Sequence, residues 1–545
     1  MESHIARIRS FIHANISLGG RSTLVRLFAI AGVLAIQSCA SLSELPKKPS
    51  QAIPASAQDD LSKLVSPDLH RNGESAFRPL AFSDYAMDAR LTLARRAQRS
   101  LDIQYYLLSD DSTGRAFLRA VRDASVRGVR VRLLLDDLYT ASNDRLLQGL
   151  AAYPNVEVRL FNPFPAGRAS NVTRWGASLL DLARLNHRMH NKLFVADGVF
   201  AVVGGRNIAD EYFFRSERGN FIDLDLLVAG DAVADLSKTF DAYWNSPRVY
   251  TLDALESAAR EAPTRRADFE QLTFQDDTIF PTYSDGARDL LNFRPLSIDV
   301  LTPPLKMLSG RIQVFADNPE KVSGRSERGD DKTTVASQVI ESIVSSKEDV
   351  LLVSPYFIPG SAAMARMKRI RDDGVSITLV TNTMAANDEP FVSYAYARYR
   401  KRLLQMGVQI YEVSPRILSN TAGFPDTFGS SLGTSTGRLH AKVIVLDHHI
   451  TFVGSMNLDF RSARENTELG LLVDSPELAA DVADLAAELR SKGTYRMRLS
   501  KPEGKVEWVD SEEGRDQVFQ SEPEVNLWKE LEVLLFSPFI NEDLL

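Results

Sequence analysis

The sequence predicts an α/β protein built twice: two similar α/β/α halves related by a pseudo-two-fold axis, with a site where they meet. Three observations lead there. Arg188-Met-His-Asn-Lys-Leu-Phe-Val-Ala-Asp197 returns as Arg438-Leu-His-Ala-Lys-Val-Ile-Val-Leu-Asp447, so His190, Lys192, Asp197 and Asn207 reappear as His440, Lys442, Asp447 and Asn457, each displaced by 250 positions. A β-α-β order of apolar runs and amphipathic stretches precedes each copy, and such alternation implies a sheet with helices on its faces. In both halves a helix closed by Gly-Val (Gly128-Val129 and Gly374-Val375) leads into an apolar strand.

The elements follow in order. Arg21 and Arg26 precede a ten-residue apolar run from Leu27 to Ile36, then Gln37, Ser38 and Cys39. A basic flank, a short apolar core and a small residue before the cut describe an export signal; a bilayer span needs about 20 residues. Residues 1–39 are therefore a signal segment with Cys39, the single cysteine, as the lipidated residue, by resemblance to a bacterial lipoprotein box. A signal-anchor is the alternative; either way the protein is expected in the bacterial cell envelope, attached to the membrane. Residues 40–75, rich in Ser, Pro and Ala, read as a flexible tether.

The first half is assigned to 76–260. It holds a helix over 84–97 with Ser83 as N-cap, a strand over 101–108, a helix over 115–127, and strands over 129–135 and 156–161. Residues 261–310 form a connection expected to pack across both halves. The second half, 311–500, repeats the order with strands over 350–353, 375–381 and 408–413 and helices over 361–373 and 391–406. A Gly/Ser/Thr-rich loop over 421–437 precedes the second motif. The tail, 501–545, reads as a docked C-terminal helix around Trp528 and Leu531.

Composition narrows the function. The chain has 545 residues, 44% hydrophobic and 25% charged, an ordinary globular balance. Its net charge of −7, from 64 basic and 71 acidic residues, argues against nucleic acid as the general partner, which calls for a basic excess. No familiar metal-ligand spacing appears among its eight His, so no metal or cofactor is expected.

The duplicated motif carries chemistry. Asp197-Gly198 is a two-residue hairpin turn between Leu193–Ala196 and Val199–Val203, so two antiparallel strands are expected. Residues two apart share a strand face, so His190 and Lys192 point the same way. Asp197, an odd number away, points to the other face and is read as a brace, like Asp447. Each half then offers one imidazole, one fixed cation and one amide donor. Lys192, Lys442, Asn207 and Asn457 suit non-bridging phosphate oxygens. His190 and His440 can attack phosphorus or carry protons near neutral pH. Each His needs a group to fix its tautomer. Asp223 is assigned to His190 and Glu468 to His440, each from the same half; Asp225 is the alternative in the first half.

The duplicated H-x-K-x4-D motif resembles that of the phospholipase D superfamily. The phrases Leu101-Asp-Ile-Gln-Tyr-Tyr106, Ser354-Pro-Tyr-Phe-Ile-Pro-Gly360 and Asn541-Glu-Asp-Leu-Leu545 resemble its bacterial cardiolipin synthase C branch. The superfamily resemblance implies a catalytic set of His190, Lys192, Asp197, His440, Lys442 and Asp447, and a metal-independent two-step transfer through a phospho-His. The branch resemblance implies phospholipid substrates, phosphatidylglycerol and phosphatidylethanolamine among them, with a phosphatidyl group passed to a second lipid. Hydrolysis to phosphatidic acid and, more remotely, a phosphodiesterase or nuclease activity are the alternatives. Tyr105, Tyr106, Tyr356 and Phe357, at strand ends, are read equally as pocket lining or as core.

Overall fold

A computed structural model describes residues 47–525 apart from segments 68–72, 141–142, 165–181, 256–259, 275–282, 324–331, 419–435 and 513–514. The expected lipidation at Cys39, most of the Gly/Ser/Thr-rich loop and the C-terminal helix lie outside the described residues. Among the described residues, no helix is long and apolar enough to cross a membrane.

The first half contains β1 (Ser75–Leu80), α1 (Ser83–Arg96), β2 (Ser100–Tyr105), α2 (Ser112–Val126), β3 (Arg130–Asp136), α3 (Asp144–Leu150) and β4 (Val156–Phe161). It continues through β5 (Leu193–Ala196), β6 (Phe200–Gly204), β7 (Asn220–Ile222), β8 (Asp225–Gly230), α4 (Asp231–Trp244) and β9 (Val249–Thr251). Strands β2, β3 and β4 are parallel, because helical crossovers join them. The hairpin β5–β6 adds antiparallel to β2, and β8 pairs with β6. Asp111, not an expected cap, caps α2 by accepting from the Gly114 amide. Ser83 is already helical, and Phe82 occupies the α1 cap position with no side-chain hydrogen bond.

After α5 (Ala262–Thr273), which packs on α3 and α2, the second half repeats the plan. Its elements are β10 (Leu308–Ala316), α6 (Val335–Ser345), β11 (Asp349–Val353), α7 (Gly360–Asp372), β12 (Ser376–Asn382), α8 (Pro390–Gln405), β13 (Gln409–Val413) and β14 (Gly437–Leu439). The hairpin β15 (Val443–Leu446) and β16 (Ile450–Gly454) follows, then β17 (Leu469–Asp474) and α9 (Pro476–Lys492). Strands β18 (Thr494–Leu499), β19 (Val506–Glu512) and β20 (Arg515–Phe519) widen this half beyond β13. Most of these strands are apolar on both faces, as expected where helices cover the sheet.

Strand β10 joins the halves. Its first residues pair with β1 and the rest with β17, so the two half-sheets run into one. One apolar cluster crosses the junction, with Val195, Leu226 and Trp244 from the first half and Val353, Val445 and Leu489 from the second. The Tyr243 hydroxyl donates to the Asp317 carbonyl across the same boundary at 2.7 Å.

Residues 47–64, part of the expected tether, lie against the first half. Arg159, Arg132 and Asn245 donate to the carbonyls of Lys48 and Ser50, the Ala52 amide donates to Asp241, and Leu61 and Leu64 are buried. The two arginines stand inside β3 and β4 and are buried under this segment. They capture backbone carbonyls that a composition reading leaves solvated.

Candidate active site

Each motif hairpin is tied down at the end away from the site. Asp197 and Asp447 take left-handed φ of 53° and 50° at the turns. Asp197 accepts from the amides of Gln98, Arg99 and Ser100 at 2.8–2.9 Å. Asp447 accepts from Lys347, Glu348 and Asp349 at 2.8–3.1 Å. Both carboxylates therefore nail the hairpin to the start of its antiparallel neighbour, β2 in the first half and β11 in the second. They sit about 20 Å of strand away from the histidines, at 3.3 Å per residue.

The other end is set by an exchange between halves. The His190 amide donates to the Thr467 carbonyl at 2.9 Å, and the Thr467 amide donates to Arg188. The His440 amide donates to the Ile222 carbonyl at 2.8 Å, and β14 runs parallel with β7. The residue after each of these partners is an acid. Glu468 consequently reaches His190, with Nδ1 at 3.0 and 3.1 Å from its two oxygens. Asp223 reaches His440, with Nδ1 at 2.6 Å. The expected pairing is thus corrected: Asp223 serves His440 and Glu468 serves His190, each across the junction. Asp225 faces away, into a buried ion pair with Arg90 at 2.9 Å.

Two polar groups at strand ends hold the residue before each His. Asp136 accepts from the Met189 amide at 2.9 Å, and Asn382 both accepts from and donates to Leu439 at 2.9 Å. With Nδ1 taken by a carboxylate, Nε2 of each imidazole is the nitrogen a substrate can reach. Lys192 Nζ donates to the His190 carbonyl at 2.6 Å; Lys442 Nζ donates to the His440 carbonyl and lies 3.0 Å from His440 Nδ1. All four groups are buried.

The two asparagines differ. Asn207 accepts from the Leu107 amide at 3.2 Å and donates to the Tyr212 hydroxyl at 2.9 Å. Asn457 is buried with its Oδ1 lacking a partner. Aromatic rings flank both histidines edge-on. Tyr106 lies 4.9 Å from His190 between centroids, and Tyr212 lies 5.1 Å from His440. Tyr106 also carries Lys192 over its face at 5.2 Å. The strand-end aromatics therefore divide. Tyr106 belongs to the site, and Tyr356 donates to Asp388, whose charge reaches His440. Tyr105 and Phe357 are core. The sequence offered no signal for Tyr212, in a short helical turn, or for Ser455, which donates to Glu468.

Burial and mutual charge set the protonation pattern. Burial, then the Lys192 and Lys442 cations, push His190 well below the ordinary imidazole range. Burial and Lys442 lower His440 too, but Asp223 opposes them. Burial lowers Lys192 to about 7 and Lys442 to about 8. The carboxylates part company. Burial works against ionised Asp223, yet the charge and hydrogen bond of His440, with Lys442 and Arg206, hold it at about 2. Burial pushes Glu468 up to about 7, with Lys192 and Ser455 opposing. Among the described residues, no group of three or more His, Cys, Asp or Glu is placed to hold a metal ion. His187 instead pairs with Glu465 at 2.8 Å, and His449 Nδ1 lies 2.8 Å from the Asp447 carbonyl.

Comparison with known proteins gives the same two halves. The family model described as "Cardiolipin synthase, PLD-like domain" matches twice, over 91–244 and 339–490. Cardiolipin synthase C of Escherichia coli (strain K12) is 34% identical over 466 residues, 85% of this chain and 95% of that protein. A cardiolipin synthase of Staphylococcus aureus (strain Mu50) is 26% identical over 78% of this chain and 69% of that protein. In fold, the chain is similar to the phosphatidylserine synthase of Haemophilus influenzae Rd KW20, with a TM-score of 0.54, 13% identity, and coverage of 87% of this chain and 94% of that one. Two matched domains, each containing one of the His-Lys hairpins, make this chain a member of the cardiolipin synthase, PLD-like domain family.

Proposed function

We propose that the protein is a phosphatidyltransferase of the cardiolipin synthase type, working in two steps through a phospho-His. The observation that carries this is the pair of imidazoles, each held at Nδ1 by a carboxylate from the opposite half, with Lys192 and Lys442 beside them. His190 Nε2 attacks phosphorus and forms the N–P bond. The P–O bond to the departing alcohol breaks, and His440 gives its Nε2 proton to that oxygen. An incoming lipid hydroxyl then gives its proton to His440 and attacks phosphorus, and the N–P bond breaks. Lys192, Lys442 and the Asn457 amide meet the charge on the non-bridging oxygens; Asn207, latched to Tyr212, holds that wall of the site.

Two features support this division of roles. His190 is kept neutral, as a nucleophile must be. Burial and Lys442 lower His440 as well, but it faces a carboxylate that stays ionised and opposes that shift, so of the two imidazoles it holds a proton more readily. The substrates would be phosphatidylglycerol and, as second lipid, phosphatidylethanolamine. Attachment to the bacterial envelope through a lipidated Cys39 would bring the site to them.

The test is product analysis. Purified protein is given vesicles of phosphatidylglycerol, with and without phosphatidylethanolamine, and the lipids are resolved by mass. Cardiolipin establishes transfer, and dependence on phosphatidylethanolamine identifies the donor. Phosphatidic acid alone means that water is the acceptor. No lipid product, with or without a helper protein supplied from cell extract, overturns the reading.

A further inference from the structure

The motif repeats, but what stands behind it does not. The positions matching Gly205, Arg206 and Asp225 are Ser455, Met456 and Gly470. In the first half Arg206 is buried, and its guanidinium donates to four groups. Nη1 donates to the Leu80 carbonyl at 2.8 Å and to Asp225 Oδ2 at 3.3 Å; Nη2 donates to the Ala81 carbonyl at 2.7 Å and to the Asp223 carbonyl at 2.6 Å. Arg90 locks Asp225 from behind at 2.9 Å and is itself fixed by Tyr105 and the Ala86 carbonyl. Gly205 leaves room for the Asp223 carboxylate: a Cβ there would lie 2.1 Å from Oδ1. In the second half, Met456 has no charge to offer Glu468. That carboxylate is held by Ser455, and the Glu468 backbone amide donates to Asp317 at 2.9 Å, which is itself paired with Lys321 at 2.7 Å, so here an aspartate and not an arginine holds the backbone.

We propose that Arg206 is a positioning residue: it clamps the backbone at Asp223, aims that carboxylate at His440 Nδ1, and so makes the two histidines unequal. The inference rests on the roles given to His190 and His440 above. A buried bidentate arginine fixes a backbone more tightly than a thioether can. Arg206 hydrogen-bonds neither His, and of its four partners Asp223 is the one whose side chain reaches an imidazole. Its charge also helps to keep Asp223 ionised.

The experiment uses full-length protein on phosphatidylglycerol vesicles containing phosphatidylethanolamine, with Arg206→Met imitating the second half. Turnover should fall about 10- to 100-fold with the lipid KM changed by less than about two-fold. The alkaline limb of the pH–rate profile should move about one pH unit lower, because a displaced Asp223 no longer supports the proton on His440. A pure loss of positive charge near His440 would move that limb higher, and a purely structural role would not move it. In an Asp223→Asn background, Arg206→Met should add less than about three-fold, while in a Glu468→Gln background its full effect should persist. Wild-type turnover in Arg206→Met, an unmoved or raised alkaline limb, or an undiminished effect on Asp223→Asn overturns the proposal. If Arg206→Met unfolds by circular dichroism, Asp225→Asn, which loosens Arg206 from behind, is put through the same comparisons and the same outcomes decide. Retained turnover in His190→Ala and His440→Ala would instead overturn the proposed function. Their loss, together with an unaffected Arg206→Met, overturns only this inference.

Discussion

The half-site around His440 and the half-site around His190 share a motif and a backbone exchange, yet they are wired differently. His440 meets a short acid at 2.6 Å that is held ionised, with Arg206 behind it. His190 meets a longer acid at 3.0 Å that burial pushes up to about 7, with Ser455 and Asp317 around it. The lesson is that duplication supplies two copies of one device, and divergence behind it can assign two jobs. Two equal histidines would compete for the same proton; an acid–base pair needs one imidazole that keeps its lone pair and one that keeps its proton.

The largest expected effect tests whether both halves are needed. His190→Ala and His440→Ala should each lower turnover at least about 1,000-fold without unfolding the protein. The two variants should separate under an alkaline quench: His440→Ala still accumulates labelled protein from a lipid with a good leaving group, and His190→Ala does not. Labelled protein in His190→Ala would reverse the roles.

Next come the carboxylates. Asp223→Asn should cost about 100-fold in turnover and Glu468→Gln about 10-fold, since a neutral nucleophile needs only its tautomer fixed. The pH profiles sharpen the contrast. The Asp223 anion stabilises protonated His440, so its loss lowers that pKa and moves the alkaline limb to lower pH. Glu468→Gln should leave the alkaline limb in place. Equal shifts in both variants would erase the proposed asymmetry.

Smaller effects fall on stability. Asp197 is fully buried and Asp447 is half-buried, although each receives three backbone amides. Asp197→Ala should lose about 1–3 kcal/mol in denaturant unfolding, and Asp447→Ala less, because water can replace its partners. Turnover per folded molecule should stay near wild type in both.

The smallest effect concerns Glu468. In the folded protein it holds its proton up to about 7, against an ordinary value of 4.5, so the folded state binds more protons between these limits. Stability therefore falls as pH rises through that window. Glu468→Gln removes this term and should raise Tm by roughly 2 °C at pH 8, with no gain at pH 4.5. A gain of equal size at both pH values would show that ionisation is not its source.

Much of this was legible in the chain. Period-2 and apolar runs placed the central strands within a residue or two, except β2, expected to run to 108 and ending at Tyr105, since strands covered on both faces read as continuous hydrophobic stretches. The Asp197-Gly198 turn and its repeat at Asp447 fixed the hairpins, and odd spacing from His190 put Asp197 on the bracing side. What local spacing missed has one cause. The carboxylate partners, Tyr212, Asp136, Asn382 and Arg206 act over separations of 50 to 280 residues or from irregular turns, and no periodic signal links them to the motif. The strap over 47–64 escaped for a related reason: its own side chains say little, and the arginines that capture it lie elsewhere.

By itself, then, the sequence determined the duplicated α/β plan, the two His-Lys pairs and the function of Asp197 and Asp447 as braces, because each follows from residue type and spacing along one strand. Only the tertiary structure decided which acid serves which histidine. The backbone at Thr467 pairs with the motif at His190, and that at Ile222 with the motif at His440, so the next side chain on each strand crosses the junction. Which half keeps its carboxylate charged depends on burial and on neighbouring cations, and both are properties of the packed molecule rather than of any segment.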